Sequence, residues 1–341
     1  MTTYETSGRS KRQAQGMAAS ALPDGFVVRT PTYTVDGIAE LDAVVSLLAA
    51  CDIAVVGEVD TGRDEVLTMF TSPSNDRERT VLVEDADGLL VGLVWVEIDA
   101  TAGDTWFDVY VDPTRATSEL YDLGFAHGIA AASAHKTGAA AATWEAWSGC
   151  FAQDESLHAS MQRSGFELRR RFWRMRIEAR SPAVPVEMPD LPEGVTLVVA
   201  RSEEEKRRVC ALQNDSFTDH WMHVERPWAE WIAHVESHHP TPDGWWLLQV
   251  DGVDAAVCML DESRADQGGG YIGVLGVLRE FRGRGLAKHL LQRAFVRSRD
   301  EGRSWIALSV DSDSPTGAQH LYESVGMTPY RIIDAVSRPT T

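Results

Sequence analysis

Short runs of alternating apolar residues, broken by Asp-Gly turns, occur in the same order in two stretches of the chain. The first stretch opens at Leu22-Pro23-Asp24-Gly25 with the apolar run Phe26-Val27-Val28. The second opens at Leu191-Pro192-Glu193-Gly194 with Val195-Thr196-Leu197-Val198. Each opening predicts a strand, and a helical stretch follows, Ile38 to Ala50 in one and Glu203 to Gln213 in the other. The alternation then predicts hairpins. Arg79–Glu84 turns at Asp85–Gly88 into Leu89–Glu97, and Trp245–Val250 turns at Asp251-Gly252 into Ala255–Leu260. A further strand (Trp106–Val111; Tyr271–Val277), a long helix, another strand (Ala141–Trp147; Ser304–Val310) and a short helix complete each set. The short helices end at Gly165 before Phe166 and Gly326 before Met327, where a left-handed cap lets the chain turn into a strand.

Between the two sets, Pro182, Pro185 and Pro189 remove backbone donors and favour an extended connection. The predicted division is a disordered leader over 1–22, a first domain over 23–179, a linker over 180–190 and a second domain over 191–337. Hairpins first and a crossover helix later predict the α/β class, mixed α+β, each domain a mostly antiparallel mixed sheet flanked by helices. The recurrence suggests a duplication, on element order more than on residue identity.

Composition narrows the class. The 341 residues are 44% hydrophobic and 24% charged, enough for two cores and ordinary for a soluble protein. With 32 basic against 51 acidic side chains the formal charge is -19, which repels polyphosphates and argues against nucleic acid as partner. Such a field attracts cationic amines, although acidity alone also serves solubility. The four cysteines, Cys51, Cys150, Cys210 and Cys258, form no CxxC pair, so neither a disulfide framework nor a metal site is expected and a cytoplasmic setting fits. No apolar run approaches the ~20 residues that span a bilayer, so no membrane partner is expected. Arg9, Lys11 and Arg12 precede no continuous apolar core, unlike a secretory signal.

The chemistry concentrates after the strand Tyr271–Val277. Leu278-Arg279-Glu280-Phe281 leads into Arg282-Gly283-Arg284-Gly285, and then Leu286, Leu290, Leu291, Ala294 and Phe295 fall on one helical face. Glycines let the backbone approach a ligand, and the unpaired N–H groups of a helix start, with its dipole, suit a pyrophosphate. Gly283 and Gly285 could otherwise be plain turn residues, and Arg284 a surface charge; the strand–loop–helix context favours the anion site.

The run Arg282 to Ala287 (Arg-x-x-Gly-x-Ala) resembles the acetyl-CoA motif of the GCN5-related N-acetyltransferases. Downstream, Ser314-Pro315-Thr316-Gly317-Ala318, Leu321-Tyr322 and Gly326-Met327 resemble that family's next motif, Asn-x-x-Gly-Ala-x-x-Leu-Tyr with a closing Gly-Phe. Together the motifs span roughly Tyr271 to Met327. The tandem layout resembles the mycothiol synthase-like type, departing at Tyr271, where that type carries an acid. The resemblance implies a splay between the strands ending at Val277 and Val310, with pantetheine against backbone near Leu275, Val277 and Arg279. It implies acetyl-CoA held by Arg282, Gly283, Arg284, Gly285, Leu286 and Ala287, with Ser314 in place of the usual Asn, and no metal. Tyr322 is implied as general acid toward the leaving thiolate; as a core tyrosine it would share a helical face with Ala318, Leu321 and Val325. For a general base, Asp311, Asp219, His220 and a water chain stand open, Asp219 and His220 also being readable as turn or cap residues. The expected partner is a small-molecule amine acceptor and the expected assembly a monomer or homodimer. A non-catalytic acetyl-CoA sensor is the alternative.

Laid over the second half, the first half puts Ala116-Thr117-Ser118-Glu119 where Arg282-Gly283-Arg284-Gly285 stands. Both glycines are gone, Glu119 adds negative charge, and no tyrosine matches Tyr322. The first half is expected to keep the fold without the cofactor chemistry, and to wall the acceptor site or supply a packing surface.

Overall fold

A computed structural model describes residues 25–136, 143–221, 223–237, 240–314 and 316–340. The expected leader over 1–22 and the start of the expected strand at Ala141 lie outside these residues. The first half runs β1 (Val27–Arg29), β2 (Tyr33–Thr34), β3 (Gly37–Ile38), α1 (Leu41–Val56), α2 (Arg63–Thr71), β4 (Val81–Glu84), β5 (Leu90–Asp99), β6 (Asp104–Val111), α3 (Ser118–His135), β7 (Glu145–Phe151), α4 (Glu155–Arg163) and β8 (Glu167–Glu178). The second runs β9 (Val195–Val199), α5 (Glu203–Ser216), α6 (Trp228–Ser237), β10 (Pro240–Val250), β11 (Val253–Asp261), β12 (Gly269–Val277), α7 (Leu286–Asp300), β13 (Trp305–Asp311), α8 (Ala318–Ser324) and β14 (Thr328–Pro339).

The hairpins form because their turns can. Asp251 and Gly252 both have positive φ, 51° and 82°, which matches the twist of the strands they join. In the first half the Asp85 carboxylate accepts from the amides of Asp87 and Leu89, and Gly88 takes φ 79°. Two elements escape the periodicity: α2, nine residues with three buried apolar or hydroxyl positions (Val66, Thr68, Phe70), and the β2–β3 hairpin of two-residue strands.

The two halves do not make two sheets. They share one 12-stranded sheet in the order β1-β4-β5-β6-β7-β14-β8-β13-β12-β11-β10-β9. Each half gives its last strand to the other: β14 pairs β7, β8 pairs β13, and β8 and β14 run antiparallel between them. Phe172 pairs with Ile333 at the middle of this exchange. Burial follows the exchange. Met175 and Ile177 of β8 sit in the second half's core, with Leu290, Leu291 and Phe295 of α7. Val336 of β14 sits in the first half's core, with Phe107 and Phe125. Fully burying such side chains stabilises by ~1.5–3 kcal/mol each, so the exchanged strands are structural members of both cores.

One sheet face carries α7 against Ile272, Leu308 and Val310. The other carries α5 and α6, where Trp231 packs on Trp245, Leu247, Val257 and Met259. Between the halves, Arg180–Asp190 contains no helix or strand. Among the described residues no helix is long and apolar enough to cross a membrane.

Candidate active site

β12 and β13 are parallel neighbours for only three pairs, Gly269–Trp305, Gly270–Ile306 and Tyr271–Ala307. Beyond Tyr271 they part, while β12 stays paired to β11 as far as Val277. The β12 edge that faces β13 therefore has no ladder partner from Ile272 onward, and its amides and carbonyls are available to a ligand. The β11–β12 register skips a residue between Met259–Val274 and Leu260–Ile272, so Gly273 is a bulge. A bulge next to a splay turns backbone groups into the gap.

The gap is a cleft of about 460 Å³, lined among others by Ile272, Gly273, Leu275, Val277, Gly283, Gly285 and Tyr322. At its end, Gly283 and Gly285 have φ of 77° and 78°, and a Cβ built on either meets nothing within 4 Å. Gly285 caps α7 without a side-chain hydrogen bond, and no acidic residue stands in the first turn. The N-terminal amides of α7 are thus unpaired, and the positive end of its dipole faces open space. Leu286 is buried, and Leu286, Ala287 and Lys288 also line the cleft.

Arg282 fixes the loop rather than pointing to solvent. Its Nε donates to the Val277 carbonyl at 3.1 Å, and one terminal nitrogen donates to the Ser216 carbonyl at 3.2 Å. The other terminal nitrogen pairs with Asp219 at 3.1 Å. Asp219 also receives Arg279, at 2.6 and 2.8 Å. Hydrogen bonds from Arg279 and then Arg282 hold the Asp219 carboxyl below its usual range, so it is an anchor for both guanidiniums. The Arg284 guanidinium lies over the Phe281 ring, 5.2 Å from its centroid.

Tyr322 is 7% exposed and lines the cleft from α8. Among the described residues its hydroxyl has no hydrogen-bond partner. Burial pushes the phenol above its ordinary value, so it remains a proton donor at neutral pH. Its ring also belongs to the core with Leu308 and Val325, so packing and chemistry coincide in one side chain. Ser314 is buried and hydrogen-bonded to Thr316 at 3.0 Å; Thr316 lines the cleft and Ser314 does not. Pro315 lies outside the described residues.

His220, shortly after α5, and Asp311, the last residue of β13, also line the cleft. Asp311 is 3% exposed, accepts from the Asp313 amide at 2.9 Å and lies 3.8 Å from the Arg170 Nε. His220 packs on Phe217, with centroids 4.8 Å apart. Burial lowers the His220 pKa and the Asp311 charge partly restores it, which leaves the imidazole neutral at pH 7. A second pocket, of about 260 Å³, opens beyond His220. It is lined by His220, Phe217 and Trp221 from the second half and by Asp99, Asp104 and Trp106 from the first. Trp147 of β7 stacks on Trp106 at 5.2 Å and meets Trp221 edge-on at 5.3 Å. The contributions of Asp104, Trp106 and Trp147 carry no local sequence signal, because they come from the other half of the chain.

The first half has the same splay without the same fittings. β6 and β7 pair in parallel only at Asp104–Glu145, Thr105–Ala146 and Trp106–Trp147. The β5–β6 register is continuous, with no bulge. At the start of α3, the Thr117 side chain accepts from the Leu120 amide, and Glu119 lies in the first turn. The helix end that a pyrophosphate would use is occupied by the chain's own cap and carries a repelling charge.

A family model described as "Acetyltransferase (GNAT) family" matches residues 206–327. N-alpha-acetyltransferase 30 of Schizosaccharomyces pombe is 30% identical over 136 residues, 39% of this chain and 85% of that protein. The chain belongs to the GNAT acetyltransferase family. A mycothiol acetyltransferase of Thermobispora bispora is 29% identical over 183 residues, 49% of this chain but only 57% of that protein's length. A solved GCN5-related N-acetyltransferase from Sphaerobacter thermophilus is similar over both halves, with TM-score 0.75, 26% identity, and 94% of this chain and 97% of that chain covered. The GNAT match encloses the Gly273 bulge, the glycine loop and Tyr322, the features missing from the first half.

Proposed function

We propose that this GNAT protein transfers an acyl group, acetyl from acetyl-CoA, to a primary amine of a small molecule. The carrying observation is the splay of β12 from β13 beside an uncapped, glycine-lined α7 start, with a protonated Tyr322 in the same cleft. The relatives are named as acetyltransferases, which supports acetyl as the acyl group.

In this reading the α7 amides and the Gly283–Gly285 loop hold the pyrophosphate, and pantetheine pairs with the free edge of β12. The thioester carbonyl lies near the Gly273 bulge, where backbone amides stabilise the oxyanion of the tetrahedral intermediate. The neutral amine attacks the carbonyl carbon directly. His220 takes the proton the nitrogen loses, and Tyr322 gives its proton to the departing CoA sulfur. His220 is favoured over Asp219 and Asp311 because it is the titratable side chain lining both the cleft and the pocket beyond it. Asp219 is engaged by Arg279 and Arg282, and Asp311 acts through its charge on His220. The unit that does this is residues 191–337 completed by β8 of the first domain.

Release of CoA is the test. Purified protein with acetyl-CoA and a panel of primary amines gives amine-dependent free thiol and an acetylated product by mass spectrometry. Tight acetyl-CoA binding with no amine-dependent release across the panel would instead make the chain a sensor.

A further inference from the structure

The pocket shared by the two halves contains a buried acid without an ion-pair partner among the described residues. Asp104, at the start of β6, is 5% exposed. Its Oδ1 accepts from the Trp147 indole at 3.1 Å, and its Oδ2 has no hydrogen-bond or ion-pair partner among the described residues. The other acid of the pocket is differently placed: Asp99 pairs with Arg226 at 2.5 Å and accepts from the amides of Thr101 and Ala102. The neighbouring cation Arg170 is likewise engaged, with Asp313 at 3.2 Å and the Trp221 face at 5.3 Å. Burial, and then repulsion from Asp99 and Glu145, push the Asp104 carboxyl up to about 6, as expected of an acid awaiting a counter-charge. An isolated buried carboxylate is costly, and sites of this kind persist where a ligand completes them.

We propose that Asp104 is a binding subsite for a second basic nitrogen of the acceptor, so that the substrate class is diamines with a short spacer. The inference rests on the acyltransferase reading above and adds to it. One nitrogen sits at His220 and is acetylated. The other donates to Asp104 Oδ2, its methylene stem lying along Trp106 and Trp221. Both anchors line one pocket of about 260 Å³, so a short diamine can present one nitrogen to each. A monoamine of equal length reaches His220 but leaves the carboxylate unpaired, and unpaired buried partners are what give polar sites their discrimination.

The experiment compares propane-1,3-diamine, butane-1,4-diamine and pentane-1,5-diamine with propylamine, butylamine and pentylamine, in the wild-type protein and in Asp104→Asn. At the best length, kcat/KM for the diamine is expected to exceed that of its monoamine at least about tenfold, a free-energy difference of ~1.4 kcal/mol. Asp104→Asn, which keeps the acceptor for Trp147, is expected to collapse that ratio to near one, mainly through KM. Asp104→Glu, with the charge on a longer arm, should move the preference to a shorter diamine. Thermal unfolding and acetyl-CoA affinity report whether each variant is folded. Equal kcat/KM for mono- and diamines in the wild type, or a ratio unchanged in Asp104→Asn, overturns the proposal. If no amine is acetylated, the acyltransferase reading fails separately. Calorimetric binding of the diamines then decides the subsite: binding lost in Asp104→Asn supports it, and no binding to the wild type refutes it.

Discussion

Replacing Gly285 by alanine separates two properties of the loop that usually change together. In the free protein a Cβ at this position meets nothing within 4 Å, so the only cost to the fold is a non-glycine residue at φ 78°. That cost is about 1–2 kcal/mol, which for a chain of this size lowers Tm by only a few degrees. The open space is the place where a pyrophosphate would lie against the first amides of α7. A methyl group there holds the phosphate off those amides. Losing one charge-assisted hydrogen bond is worth ~1.5–3 kcal/mol, or roughly a 10- to 100-fold rise in Kd. Titration calorimetry with acetyl-CoA and differential scanning calorimetry of the same preparation read both quantities. Gly285→Glu, which adds a negative charge as well, is expected to abolish binding. Gly276→Ala is the opposite control, since its Cβ would collide with the Ser216 side chain and press on Phe217, lowering Tm for steric reasons. An unchanged Kd in Gly285→Ala with the expected small fall in Tm would refute the assignment of the loop to the phosphates.

Tyr322→Phe is expected to lower kcat by ~10²–10⁴, the range for a lost general acid, with acetyl-CoA affinity within about twofold of wild type. Unchanged turnover removes Tyr322 from the reaction. His220 must be neutral to accept a proton, so kcat/KM for a monoamine, which does not engage Asp104, falls as pH drops through the His220 pKa. Burial places that pKa below its ordinary value of 6.5. The acidic limb should therefore lie below pH 6.5 and vanish in His220→Gln; a limb that persists in that variant belongs to another group. A protease site engineered around Val186, which is exposed, should cut the chain without separating its halves in size-exclusion chromatography, because β8 and β14 remain exchanged. Two resolved fragments would show that the exchanged strands do not hold the halves together.

The local rules of the chain reported faithfully what is local. The hairpins at Asp85–Gly88 and Asp251-Gly252, the helix start at Gly285 and the returns at Gly165 and Gly326 each depend on a few adjacent residues. The destination of β8 and β14 does not. Both strands follow a short helix and a glycine, and nothing within either one says which sheet it enters; that is decided by apolar faces more than a hundred positions away. The partners of Asp219 were hidden for the same reason, since Arg279 stands 60 residues and Arg282 63 residues further along. The hardest group to foresee was Asp104 with Trp106 and Trp147. In sequence they are the ordinary start of a strand and its neighbour, and only the juxtaposition of halves places them opposite Trp221. The short α2 has too few buried positions to set a period.

The exchanged strands also set the order in which the molecule can be completed. Ser337 bonds Glu145 across 192 residues, and β14 is the last of the described strands. During synthesis the first half therefore waits with one side of β7 unpaired, although all of its own residues have been made. The second half can close on β8 as soon as β13 appears, because that strand is already present. The half with the glycine loop is thus the first to gain a finished sheet, and the half without it is the last. Contacts of such long range are slow to form, and an unpaired strand edge invites wrong pairing while it waits. Truncations at the C-terminus are expected to harm folding yield far more than their length suggests, and to do so through the opposite end of the molecule.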